Sequence, residues 1–172
     1  RILERLDSDD AAAVLAQLVR ENATVAKRAE EIADELLRSS ATVDGVAAEV
    51  SLELGSLAVE DLWDQSGSQR DGYREPCEQA FEMCEEALAP VFRHWRRCRE
   101  LGRVGEAKSH CMGILLGLHQ FETESRTTFR EWAEDVPGSL ADEALSIWRK
   151  WPPSPGSEDE ISQFLREKCP RF

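Results

Sequence analysis

The sequence predicts an all-α fold: stacked antiparallel helical hairpins, an α-α superhelix or irregular bundle, with one long central helix kinked at a proline. Three observations carry this expectation. First, Cys77, Phe81, Cys84, Leu88, Val91, Trp95 and Cys98 follow one another at alternating steps of four and three, the spacing of a helix that buries one narrow face. Second, Ala107, Cys111, Ile114, Leu118 and Phe121 repeat that seam beyond Leu101-Gly102-Arg103-Val104-Gly105, where glycine supplies a helix stop. Residues 73–121 therefore read as one helical hairpin. Third, no alternating run of Val, Ile, Thr and aromatic residues is bounded by hairpin turns, whereas Leu, Ala, Glu and Arg, all good helix formers, dominate.

In chain order, Asp7-Ser8-Asp9-Asp10 starts a helix that runs through Leu18-Val19 and stops near Glu21-Asn22. Asn22 caps a second helix, whose stripe of Val25, Ala29, Ile32 and Leu36 opposes a charged face; the two make a short hairpin. After Ser39-Ser40 a third helix places Val43, Val46, Ala47, Val50, Leu54 and Leu57 on one side. Ala58 to Asp64 either continues it or makes a separate turn, with Trp63 as a core plug. Asp64 to Gly72 is the clearest loop, polar and punctuated by glycine.

Pro76 suits the first turn of the long helix, where its missing N–H costs nothing. Pro90 lies inside that helix and removes the bond to the Glu86 carbonyl, at a cost of ~3 kcal/mol. Leu88 and Val91 keep the seam in phase across it, so one kinked helix is expected rather than two. Gly113 and Gly117, four apart, let a neighbouring helix come close. Val136-Pro137-Gly138 breaks the chain, and Ser139 opens a helix with Leu140, Ala144, Ile147, Trp148 and Trp151 inward. Residues 1–151 are expected to form a single helical domain. Pro152-Pro153-Ser154-Pro155-Gly156 is a stiff linker, and Ser157 with Glu160 makes a capping box for a last helix, 157–172, docked or offered to a partner.

A formal charge of −13 over 172 residues argues against non-specific nucleic-acid binding, which needs excess Lys and Arg. Residues 1–72 carry 16 acids and 7 bases, yet Arg93, Arg96, Arg97, Arg99 and Arg103 cluster at the end of the first hairpin arm. Cations there complement the helix dipole, or else dock an acidic partner or an anion. Five cysteines without a secretory leader point to a reducing cytoplasm, although a chain beginning at Arg1 leaves open a native start that has been removed. Cys111 to Leu118, the longest apolar run, falls well short of the ~20 residues of a membrane span.

Chemistry-bearing groups are few. His94 and Cys98 stand at i, i+4, and His110 and Cys111 should lie at similar height on the other arm, an N/S set suited to a tetrahedral metal. Against this, both cysteines fall on apolar seams, where free cysteine behaves as a small hydrophobe. His110 also points about 100° away from Cys111. No metal ligand, catalytic residue or cofactor is therefore expected. Cys77 lies in a first helical turn with no histidine near it in sequence, and pairs such as Glu30-Glu31 and Glu85-Glu86 fall on polar faces. No phosphate loop, GxSxG elbow or HExxH occurs.

The turn Leu101-Gly102-Arg103-Val104-Gly105-Glu106-Ala107 resembles the inter-helix turn of tetratricopeptide-type repeats, where Leu-Gly-Arg precedes Glu-Ala; Trp95 stands where that family has a small residue. The resemblance implies stacked hairpins and a groove that holds peptides or protein partners. The function expected is thus a non-enzymatic helical interaction module. Its partner is a protein or peptide, or a second copy in a homodimer, rather than nucleic acid or membrane. Arg93, Arg96, Arg97, Arg103, Trp148 and Trp151 are its candidate contact residues. Two alternatives stand beside it: a metal- or thiol-dependent helical enzyme using His94 and Cys98, and a regulator binding an anion at the arginine cluster.

Overall fold

The computed structural model describes residues 5–39, 42–69, 72–151 and 157–172. Among these the fold is all-α, with eight α-helices: α1 (Ser8–Glu21), α2 (Ala23–Ser39), α3 (Val43–Gly55), α4 (Val59–Gln65), α5 (Pro76–Glu100), α6 (Val104–Glu124), α7 (Val136–Lys150) and α8 (Ser157–Lys168). None is long and apolar enough to cross a membrane. Where the sequence suggests one domain over residues 1–151, the chain divides into two compact units, Arg1–Ser39 and Ser40–Phe172.

The first unit is the α1–α2 hairpin. Asp7 caps α1 by accepting the Asp10 N–H at 2.8 Å. Asn22 ends α1 and caps α2, its Oδ1 accepting from Thr24 and Val25. The expected stripe is only lightly covered: α1 has no buried residue, and Leu15, Leu18, Ile32 and Leu36 are exposed. Two short helices have too little facing surface to close a core of their own.

The second unit is built around α6, against which α3, α5, α7 and α8 all pack. Its seam of Ala107, Cys111, Ile114, Leu118 and Phe121 is buried, and so are Gly113, Leu115 and Gly117 on the adjoining side. The two glycines are the reason α3 comes so close. A Cβ added at Gly113 would stand 2.5 Å from Val46 Cβ, and one at Gly117 2.6 Å from Val50 Cβ. Val46, Ala47, Val50 and Leu54 of α3 fill that contact.

Helix α5 runs unbroken through Pro90, as its in-phase seam requires. From Cys84 onward the seam is buried, through Leu88, Val91, Trp95 and Cys98. Its first turns depart from expectation: Cys77 is exposed and Phe81 half-buried, while Gln79, Ala80 and Met83 turn inward. The reason lies in what packs there. The sequence Asp64 to Gly72, expected as plain loop, enters a two-strand ribbon, β1 (Gly67–Gln69) antiparallel to β2 (Gly72–Arg74) with Ser68 opposite Tyr73. Arg74 of that ribbon donates to Gln79 Oε1 at 3.0 Å, and Gln79 donates to Gln65 Oε1 at 3.2 Å. Polar partners thereby draw Gln79 inward and rotate the helix start off its apolar seam.

Ala58 to Asp64 makes the separate helix α4, and Trp63 is not the core plug expected of it. It is 48% exposed, meeting Trp132 edge to face at 4.7 Å, while Leu62 takes the buried place. Residues Thr128–Trp132 form a 3-10 turn that buries Phe129. Val136-Pro137-Gly138 opens α7 rather than breaking the chain before it, because Pro137 occupies the first turn, where an N–H is dispensable. Ser39-Ser40, the proline-rich stretch 152–156 and the Ser157 side chain of the expected capping box lie partly or wholly outside the described residues. Helix α8 lies against α6; Ile161 in it and Cys169 just after it are buried, and the ion pairs Lys108–Glu160 and Arg171–Glu122 join this segment to α6.

Candidate functional site

The exposed face of α5 and the adjoining α7 enclose a groove. Its floor is apolar, made by Leu88, Ala89 and Phe92 of α5 and Leu140 of α7, with Glu85, Arg93, Arg96 and Glu143 on the rim; this cavity measures about 310 Å³. A second cavity of about 530 Å³ shares Arg96 and Glu143 and continues to Arg99, Ile147 and Trp151. The helical register explains the lining: α5 buries Leu88, Val91 and Trp95, so Ala89, Arg93 and Arg96 fall on the flank that faces α7.

The six contact residues expected from sequence divide. Arg93, Arg96 and Arg97 are exposed. Arg96 lies 3.8 Å from Glu143 and Arg97 3.7 Å from Glu100, both in solvent-exposed pairs, which hold little energy of their own. Arg103 is half-buried, donating to Glu106 at 3.0 Å within the hairpin turn. Trp151 is half-buried at the groove's end. Trp148 is 1% exposed and belongs to the core, since α7 must turn one face inward against α6. Arg99, not among the six, stacks between Trp95 and Trp151, its guanidinium carbon 5.6 and 5.3 Å from the two ring centroids. Burial lowers its pKa from the usual arginine range, and the nearby Arg96 charge acts in the same direction. A guanidinium stays charged despite such shifts.

A second cluster lies inside the hairpin, near its turn. His94 and Cys98 of α5 and His110 of α6 place one ligand atom each within 4.8 Å of the others. The two imidazoles stack, with centroids 5.0 Å apart and planes 15° from parallel. Cys98 and His110 are buried and His94 is half-buried. His110 Nδ1 is 3.0 Å from the backbone carbonyl of Glu106. A carbonyl can only accept, so Nδ1 carries the proton and the Nε2 lone pair is left for other use. Burial lowers the His110 pKa, against the opposing pull of that hydrogen bond, and keeps the ring neutral. Burial likewise raises the Cys98 thiol, helped by the Glu106 charge.

Of the four N/S residues singled out from sequence, three thus converge. Cys111 points elsewhere in the core, with its thiol pushed up to about 12 by burial. The angular argument that His110 and Cys111 cannot face one point holds, but its outcome is that His110, not Cys111, joins the α5 pair. The signal that could have found this is the turn length: a tight three-residue link fixes which α6 turn lies opposite His94 and Cys98. Compared with known proteins, the chain matches no family model, no curated protein and no solved structure.

Proposed function

We propose that this chain is a non-enzymatic helical interaction module that receives a segment of another protein in the α5–α7 groove. The observation that supports this reading most is the groove's composition. Exposed Arg93 and Arg96 stand beside Glu85 and Glu143 over a floor of Leu88, Phe92 and Leu140, a pair of cations in a chain whose net charge is −13. A helix or extended peptide that sets two or three apolar side chains on that floor, and carboxylates against Arg93 and Arg96, fits both features. Leu88, Phe92 and Leu140 are already largely covered, so the arginines carry much of the contact and set orientation and encounter rate. The peptide groove implied by the tetratricopeptide-like turn agrees with this reading.

The test is selection of peptides from a displayed random library on the full chain. Enrichment of sequences with acidic residues flanking an apolar pair is expected. Their affinity should fall at least about tenfold in Arg93→Glu/Arg96→Glu and stay unchanged in Arg126→Glu, a charge reversal away from the groove. Equal binding by all three proteins would remove the proposal.

A further inference from the structure

The geometry points to a zinc site formed by His94, Cys98 and His110, clasping α5 to α6 beside the hairpin turn. The chain presents two imidazole nitrogens and one thiolate sulfur, a donor set that suits Zn²⁺. In a tetrahedral zinc site with Zn–N near 2.0–2.1 Å and Zn–S near 2.3 Å, ligand atoms stand about 3.3–3.6 Å apart. The three here lie within 4.8 Å of one another, so closing the site asks each pair to approach by at most about 1.5 Å, a distance on the scale of side-chain rotation.

Three further features suit metal binding rather than mere packing. His110 is oriented from behind by the Glu106 carbonyl, the arrangement by which backbone oxygens commonly fix the tautomer of a ligating histidine. The Glu106 side chain is itself held by Arg103, so the turn that sets the hairpin also sets the ligand. And His110, with its proton held on Nδ1 toward that carbonyl, has no proton to lose from Nε2 before binding. Cys98 must lose one: the S–H bond breaks, the proton passes to solvent, and the sulfur lone pair forms the Zn–S bond, one proton released per ion. Three protein ligands leave a fourth position for water or an exogenous donor, reached from the half-buried His94 side.

This inference is independent of the groove, which lies on another flank of α5. Its test uses the full chain purified without a metal-affinity step and titrated with Co²⁺, whose optical spectrum reports its ligands. Expected are saturation at one equivalent, a near-ultraviolet thiolate-to-cobalt charge-transfer band, visible bands of tetrahedral intensity, and loss of both when Zn²⁺ is added. Cys98→Ser should abolish the charge-transfer band and Cys111→Ala should retain it. Should Cys98→Ser fail to fold by circular dichroism, His94→Ala, at a half-buried position, should lose the tetrahedral bands instead. A charge-transfer band absent from the unaltered chain, one that survives Cys98→Ser, or tetrahedral bands that survive His94→Ala overturns the site.

Discussion

Trp95 donates its indole N–H to the carbonyl oxygen of Ala107 across 2.8 Å, from the core of α5 to the first turns of α6. Both residues are fully buried, so this bond ties the arms together where water cannot replace it. Trp95→Phe should lose about 1 kcal/mol for the missing hydrogen bond, and Trp95→Ala about 3–5 kcal/mol for the cavity. Urea unfolding followed by circular dichroism measures both, and Phe costing as much as Ala would mean the hydrogen bond dominates instead of the packing.

The α3–α6 approach gives a prediction of opposite signs on one helix. Gly117→Ala puts a Cβ 2.6 Å from Val50 Cβ and 2.8 Å from the Ala47 carbonyl oxygen, so overpacking of ~1–3 kcal/mol should outweigh the gain in helix propensity. Val50→Ala keeps the Cβ that meets the new methyl, so it should relieve little of that loss and the two changes should add nearly independently in a double-mutant cycle. Gly105 meets nothing within 4 Å and has no positive φ. Gly105→Ala should therefore stabilise by up to ~1 kcal/mol.

Pro90 is exposed and lies within continuous helix. Pro90→Ala restores a donor to the Glu86 carbonyl and should raise stability by roughly 1–3 kcal/mol, visible as a higher urea midpoint. A lower midpoint would show that proline at this position favours the path α5 takes in the folded chain.

The cysteines should separate cleanly by access. Cys77 is exposed, while Cys84, Cys98, Cys111 and Cys169 are each 0% exposed. A thiol-specific chromogenic reagent should label one equivalent rapidly in the native protein and five after denaturation, and Cys77→Ser should remove the fast equivalent alone.

Alkaline pH should weaken the fold. Burial pushes Cys84 and Cys111 up to about 12 and Cys169 to about 11, from an ordinary 9.0. A thiol whose pKa is raised by folding stabilises fully below its unfolded value, and that contribution drains away as pH rises from about 9 through 11–12. By pH about 10.5 the fully buried thiols Cys84 and Cys111 should each have cost roughly 1–2 kcal/mol. The urea midpoint should fall between pH about 8 and about 10.5, and fall less steeply in Cys84→Ala/Cys111→Ala.

What the sequence determined by itself was local. Helical period placed the α5–α6 hairpin, the Asn22 double cap and the Gly102 corner, because each depends on neighbours within a turn or two of the same chain. In-phase residues either side of Pro90 were enough to keep α5 whole. The tertiary structure decided which side of each helix faces what. Trp63 turned outward beside Trp132, and Gln79 inward toward Arg74 and Gln65, contacts that no helical period encodes. α6 is enclosed by four helices because its two glycines admit α3. His94, Cys98 and His110 gather at one point only when two arms settle into a definite register. That register follows from packed side chains, which no periodicity along a single helix can express.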